Sequence, residues 1–247
     1  PLLLILLALI ARGVSFEYRH QRDSLRWKKG FDTMIVVGSA LPALLWGVAV
    51  ANIVQGVPLD AHHEFTGSLL TLLNPYGLLG GLTTLLLFFT HGVYFVALKT
   101  DGQVRTDARK LARTSGLLTV VVAAAFLGWT VMNAMGAQAP ALPLVIICAV
   151  LAAVLLIASV LANATDREGW AFAFGAGTVA FAVLTLWLAL FPNVMPSSTD
   201  PAGTLTIENA SSTDYTLTIM TWAAVVFLPL VLLYQGWTYW VFRKRIG

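Results

Sequence analysis

The chain has 247 residues, of which 58% are hydrophobic and only 11% charged, and its formal net charge is +3. With a mean hydropathy of +0.80 it would expose large apolar patches as a soluble domain, so the composition excludes that class and indicates a membrane protein. The positive charge does not indicate nucleic-acid binding, because the basic residues fall in short polar stretches between apolar segments.

Seven apolar segments follow one another along the chain. The first, residues 1–11, is only about half as long as a membrane span of ~20 residues. It opens on Pro1 without a signal-peptide cleavage site, so we expect the chain to begin partway through a longer protein. The other segments are predicted to be complete spans, at residues 31–54, 75–98, 115–136, 143–163, 170–191 and 217–241. The fold class predicted is an all-α, polytopic transmembrane helical bundle, a single domain over residues 1–247 with six full spans and one partial N-terminal span.

The lysine and arginine residues occupy alternate polar segments. They lie in residues 12–30, in residues 99–113, at Arg167 and in residues 243–245. The intervening polar segments, residues 55–74, 137–142 and 192–216, contain neither lysine nor arginine. Because cationic loops are retained in the cytoplasm, we expect residues 12–30 and 99–113 to form cytoplasmic loops and the C-terminus to be cytoplasmic. Residues 192–216 are then expected to form an irregular outer loop.

Local signals support these boundaries. Asn74 is predicted to cap the span that opens with Pro75, because asparagine is a preferred N-cap residue. Proline fits the first turn of a helix, where its missing N–H loses no helical hydrogen bond. Pro42 and Pro229 lie inside spans and are expected to kink them. Glycines within spans are expected to let helix backbones approach closely, namely Gly80, Gly81, Gly92, Gly128, Gly175 and Gly177.

Two ionisable side chains in or near the spans are candidates for function. Asp32 stands where a span begins, and we predict a carboxylate at headgroup level paired with Lys28 or Lys29, with a proton relay as the alternative. His91 lies deeper, where a neutral imidazole could ligate haem or a metal ion. No second histidine or methionine shares an obvious plane with it, which favours a packed histidine or one hydrogen-bonded to a neighbouring helix.

An acidic and histidine-rich segment precedes the second full span. Asp60, His62, His63 and Glu64 could bind a divalent ion, but consecutive residues in an extended loop are more typical of solvated side chains. Cys148, the single cysteine, lies in an apolar run and is interpreted as a small core residue. Nothing resembles a P-loop or a nucleophile with its base. We therefore predict no catalytic, cofactor-binding or metal site in this chain.

Several segments carry longer motifs. These are residues 38–59, 72–82, 99–109, 170–178, 191–199 and 220–242, together with FEYRH at residues 16–20 followed by Trp27 and Asp32. In their order and over nearly the whole chain they resemble subunit II of the cytochrome bd quinol oxidase family. That subunit has nine helices with the N-terminus outside and the C-terminus inside, and the helices predicted here match its last seven. The acidic residues implicated in proton delivery by this subunit lie in the earlier helices.

The resemblance implies a role in respiration at the bacterial inner membrane. The parent complex oxidises quinol at its outer face and reduces oxygen to water with protons from the cytoplasm, which generates a proton-motive force. The haems and the quinol-binding loop belong to subunit I, so this chain is implied to be a haem-free supporting subunit without a redox centre of its own. Small accessory subunits and membrane lipids are further implied partners.

Some members of the family hold a structural quinone or lipid in this subunit. An aromatic cluster could line such a groove, with packing against helices or lipid as the alternative; its members are Phe88, Phe89, Tyr94 and Phe95. Two other classes of protein stay open from the residues alone, a secondary transporter and a structural membrane scaffold. A transporter would carry charged or broken helices around a cavity, and Pro42 and Pro229 are the only weak indications of these.

Overall fold

Long apolar segments can satisfy their backbone hydrogen bonds in hydrocarbon only as helices, and seven helices form here. The computed structural model describes residues 2–245. The helices are α1 (Leu2–Tyr18), α2 (Leu25–Gln55), α3 (Pro75–Lys99), α4 (Gly102–Gly136), α5 (Leu142–Ala164), α6 (Glu168–Leu190) and α7 (Asp214–Val241). Helices α2 to α7 are long and apolar enough to cross a membrane. The predicted all-α bundle with six full spans is confirmed.

The helices extend further into the basic stretches than hydropathy indicates. Helix α1 continues beyond residue 11 to Tyr18, and α4 already begins at Gly102. Most of residues 12–30 and 99–113 is therefore helical, and the irregular connections between these helices are short. The physical reason is that arginine, lysine and alanine are good helix formers, so a helix that has left the hydrocarbon does not need to stop there.

Consecutive helices from α1 to α6 pack side by side, and α3 also contacts α6, so that α3 to α6 form a four-helix group. The antiparallel direction of α2 and α3 follows from two polar contacts. Asn74 Nδ2 donates to Asn52 Oδ1 at 2.7 Å, and Thr84 Oγ1 donates to the Ala43 carbonyl at 2.8 Å. Asn74 also caps α3 as predicted, since its Oδ1 accepts the N–H of Gly77 at 2.7 Å. Helix α7 differs from the others because none of its residues is buried.

Glycines bring α2 and α3 into close contact. A Cβ added to Gly47 would overlap Thr84 Oγ1 and would lie 2.5 Å from the Gly80 carbonyl oxygen and 2.8 Å from Gly81 Cα. Two of the predicted glycines, Gly80 and Gly81, lie in this contact. On α6 a Cβ added to Gly175 would meet the His91 side chain at 2.8 Å, and one added to Gly177 would meet the Leu155 side chain at 3.0 Å. A Cβ on Gly92 or Gly128 would meet nothing within 4 Å, so neither glycine lies in a contact between helices of this chain. Their place within a span did not reveal which side of the helix they occupy.

Pairs of hydroxyl groups form hydrogen bonds between the buried surfaces of neighbouring helices. Tyr76 on α3 bonds Thr130 on α4 at 2.8 Å, and further along the same two helices Thr90 bonds Thr119 at 2.9 Å. Tyr94 on α3 bonds Ser159 on α5 at 3.3 Å. Interhelical hydrogen bonds of this kind stabilise bundles in lipid, where apolar side chains gain little by leaving hydrocarbon.

The alternation of helices gives the bundle two polar faces. The basic face comprises the connections α1–α2, α3–α4 and α5–α6 with the helical turns beside them and residues 242–245. The loop face comprises residues 56–74, 137–141 and 191–213, which include the two-stranded antiparallel sheet of β1 (Asn193–Met195) and β2 (Leu205–Thr206). The segment predicted as an irregular outer loop, residues 192–216, thus contains this small sheet and the first turn of α7.

The contact between α2 and α3 predicts a strong effect of one added methyl group. Gly47→Ala should destabilise the protein by about 1–3 kcal/mol, because the added Cβ has no room between the two backbones. Gly128→Ala is the matched control, since its Cβ would meet no atom of this chain within 4 Å and alanine is the better helix former. Thermal unfolding of the purified complex measures both, and equal melting temperatures for the two variants would contradict the close packing.

Candidate functional site

The basic face contains a buried carboxylate bound by arginines from other parts of the chain. Glu168 is the first residue of α6 and is 4% exposed. Its Oε1 accepts hydrogen bonds from Arg105 Nε at 2.8 Å and from an Arg105 terminal nitrogen at 2.6 Å. Arg245 approaches its Oε2 at 3.6 Å. Glu168 therefore joins the start of α4, the start of α6 and the C-terminal segment.

Further polar contacts extend this cluster to α3 and α5. Arg109 pairs with Asp166 and also donates to the Asn163 carbonyl at 3.3 Å. Arg245 pairs with Asp101 at 3.0 Å. Lys99 Nζ donates to the carbonyl oxygen of Phe242 at 2.5 Å, just beyond the end of α7. We call this set the Glu168 cluster; its members are Lys99, Asp101, Arg105, Arg109, Asn163, Asp166, Glu168 and Arg245.

The Glu168 cluster fixes the relative positions of helix ends. A carboxylate removed from water is tolerated when cations and hydrogen-bond donors surround it, and removal of its partner leaves an uncompensated buried charge. Glu168 was not among the residues predicted from the sequence. The available signal was its place directly beside Arg167 at the start of an apolar span, where an acid at a helix N-terminus is favoured by the helix dipole.

Asp32 lies on the basic face but has a different partner from the one predicted. Its carboxylate accepts Arg19 Nε at 2.5 Å, whereas Lys28 pairs with Asp23 at 3.1 Å. The predicted pairing of Asp32 with Lys28 or Lys29 was therefore wrong. The short turn between α1 and α2 brings Arg19 back beside the start of α2, and sequence neighbours on α2 point elsewhere.

His91 packs against an aromatic side chain of the neighbouring helix. Its ring stacks on Phe172 of α6, with centroids 4.5 Å apart and an interplanar angle of 21°. Within residues 2–245 its buried Nδ1 has no hydrogen-bond partner. A Cβ on Gly175 would lie 2.8 Å from this atom, so the backbone of α6 closes that side of the imidazole.

The aromatic residues around His91 do not form one groove. Phe88 and Phe89 are each 47% exposed and Phe95 is 38% exposed, whereas Tyr94 is 1% exposed and bonded to Ser159. Tyr94 thus belongs to the packed interior of the bundle. The three phenylalanines are the members of the predicted cluster that an external molecule can reach.

The acidic and histidine segment on the loop face forms a turn. Asp60 Oδ1 accepts the backbone N–H groups of His62 and Glu64, both at 2.9 Å, and the bond from Glu64 holds the pKa of Asp60 below its ordinary value. His63 Nδ1 lies 3.1 Å from the Gly203 carbonyl oxygen. Across the described residues no three histidine, cysteine or acidic side chains converge as metal ligands. The segment links the two long connections of the loop face to each other.

The Glu168 cluster predicts a stability effect. Glu168→Gln should lower the free energy of unfolding by about 2 kcal/mol, because hydrogen bonds to a charged group are lost and Arg105 is left beside a neutral amide. Glu208→Gln is the control, since Glu208 is exposed on the loop face and lies in none of the ion pairs of residues 2–245. Chemical unfolding of the purified complex followed by tryptophan fluorescence tests the difference, and indistinguishable variants would show that the cluster contributes no stability.

Comparison with known proteins gives one consistent family. The family model "Cytochrome bd terminal oxidase subunit II" matches residues 1–242. The chain is 36% identical to cytochrome bd ubiquinol oxidase subunit 2 of Bacillus subtilis, over 100% of this chain and 73% of the relative. It is 34% identical to cytochrome bd-I ubiquinol oxidase subunit 2 of Escherichia coli K12, over 99% of this chain and 73% of the relative.

A solved structure has the same fold. A chain of the bd oxidase from Geobacillus thermodenitrificans superimposes with a TM-score of 0.68 at 17% identity, over 99% of this chain and 74% of that one. The family match and both relatives agree with the resemblance noted in the sequence. The chain therefore belongs to the cytochrome bd terminal oxidase subunit II family and is a multi-pass subunit of a bd-type quinol oxidase in a bacterial membrane.

Proposed function

We propose that this chain is a haem-free subunit whose helices support a haem-bearing subunit I in a quinol:oxygen oxidoreductase. Membership of the subunit II family is the observation that carries the proposal. The relatives are named as ubiquinol oxidase subunits. In the complex, electrons from quinol reduce oxygen to water, the protons of quinol are released at the outer face, and the protons consumed in water formation are taken from the cytoplasm, so the reaction generates a proton-motive force.

The surroundings of His91 support a packing role for this residue. A neutral imidazole can ligate a metal through either ring nitrogen, and Nδ1 is one of the two. One face of the His91 ring is covered by Phe172, and the backbone at Gly175 closes the Nδ1 side. The imidazole fills a gap between α3 and α6, which is a packing role.

The residues of this chain hold its helices in fixed positions and exclude water from the bundle. The hydroxyl pairs and glycine contacts hold α2 to α5 at fixed positions, and the Glu168 cluster fixes the helix ends on the basic face. The exposed apolar surfaces of the bundle then meet subunit I, small accessory subunits and lipid. A structural quinone or lipid would contact Phe88, Phe89 and Phe95 rather than the buried Tyr94.

The distribution of basic residues indicates which face of the bundle lies on which side of the membrane. Every lysine and arginine of the chain belongs to the polar segments of the basic face. Because cationic segments are retained inside, we infer that the basic face and the C-terminus are cytoplasmic and that the loop face is outside.

Cysteine labelling tests this orientation. In a Cys148→Ser background, Ser211→Cys should react with a membrane-impermeant maleimide in intact cells. Lys29→Cys and Arg243→Cys should react only after the membrane is permeabilised, because both positions lie on the basic face. Labelling of all three positions in intact cells, or of none, would contradict the assignment.

Substitution of His91 tests the haem-free role. His91→Ala should leave the haem absorption bands and quinol-dependent oxygen uptake of the purified complex unchanged, and should cost about 1 kcal/mol of stability through the lost ring stacking. His91→Phe is the matched control, since it keeps a stacked ring and has no ligating nitrogen. Loss of a haem band in both variants would overturn the proposal, because it would make the imidazole nitrogen a ligand.

A further inference from the structure

A groove between α5 and α6 opens beside the basic face. Its volume is about 360 Å³, which is within the range of small-molecule sites. The floor consists of Ala158 and Ala162, one helical turn apart on α5, and the walls are Leu161 on α5 and Phe174 on α6. The small side chains of Ala158 and Ala162 leave the space that Leu161 and Phe174 border.

The mouth of the groove carries Arg167, whose guanidinium forms no ion pair with residues 2–245. Thr165 and Arg167 line this end, with Trp170 on the first turn of α6. The two acids next to Arg167 in the chain are already bound, Asp166 by Arg109 and Glu168 by Arg105. Within the part of the chain that the structure describes, the Arg167 guanidinium takes part in no ion pair, so its charge is available to an external anion.

The backbone fixes Arg167 at this mouth. Asp166 has a φ of 61°, and the tight turn it makes directs the Arg167 N–H to the Ala162 carbonyl at 3.0 Å. This is the hydrogen-bond pattern of a left-handed C-cap, which ends α5 and starts α6 within three residues. Trp170 is 58% exposed and stacks on Phe174 with centroids 5.4 Å apart, an amphipathic ring at the level where membrane headgroups lie.

We propose that this groove binds an anionic phospholipid of the leaflet on the basic side, with its phosphate at Arg167 and one acyl chain between α5 and α6. The lining of the groove faces outward from the bundle, so an acyl chain can enter it directly from the membrane. Charge complementarity selects the headgroup, because the free guanidinium matches a phosphate in a bidentate manner and no free acid of the turn offsets it. Neither the haem chemistry nor the role of subunit II requires this site.

Photo-crosslinking in nanodiscs tests the site on the complete oxidase. The probes are phosphatidylglycerol and phosphatidylcholine, each with a diazirine on one acyl chain, and labelled peptides are identified by mass spectrometry. In the unmodified complex the phosphatidylglycerol probe should label residues 158–174 about fivefold more than the phosphatidylcholine probe, the ratio expected of about 1 kcal/mol per basic residue near a membrane surface.

Variants separate recognition of the headgroup from occupancy of the groove. Arg167→Gln should abolish the preference, Arg167→Lys should retain most of it, and Ala158→Phe should reduce labelling by both probes. Lys29→Gln is the matched control, an exposed cation on the same face outside the groove, and should change nothing. Quinol-dependent oxygen uptake of each sample shows that the complex is assembled.

Three results would overturn the proposal. The first is equal labelling of residues 158–174 by both probes in the unmodified complex. The second is an unchanged preference for phosphatidylglycerol in Arg167→Gln. The third is the absence of lipid labelling together with crosslinks from this groove to another subunit, which would make it a protein interface.

Discussion

The free energy required to place a guanidinium or ammonium group in hydrocarbon is the constraint on which the rest of this structure depends. It confines all lysine and arginine residues to the polar segments of one face, and it leaves the helix surfaces within the membrane to apolar and small polar groups. The helices do not stop where the apolar segments stop. The first turns of helix α4 lie outside the hydrocarbon and contain its basic residues. They place arginines at the level of the α5–α6 turn.

The same constraint determines how the interior of the bundle is stabilised. Lipid tails are as apolar as leucine side chains, so burial of a leucine between helices gains little over its exposure to lipid. Specific attraction has to come from close backbone contact and from hydrogen bonds. Gly47 against Gly80 provides the first between α2 and α3, and the bonds of Thr90 with Thr119 and of Tyr76 with Thr130 provide the second between α3 and α4.

The sequence was sufficient to predict the spans, their alternation and the cap at Asn74, because these depend on local hydropathy and on residues adjacent in the chain. It was not sufficient to predict which side of each helix faces the bundle. A helix that is apolar on all sides has no amphipathic pattern to reveal its orientation, so the sequence did not show that Gly92 and Gly128 lie outside the contacts between helices of this chain. The ion pairs of Arg105 with Glu168 and of Arg19 with Asp32 join residues on different helices, so they depend on tertiary positions that spacing alone does not contain.

Helix α7 is joined to the rest of this chain by polar contacts at one end. None of its 28 residues is buried, yet its C-terminal end is bound through the Phe242 carbonyl to Lys99 and through Arg245 to Asp101 and Glu168. In water an apolar helix with so little cover would not persist, because its exposed surface would be driven to aggregate. In a bilayer the exposure costs little, and the charge-assisted bonds on the basic face determine where α7 ends its path through the membrane.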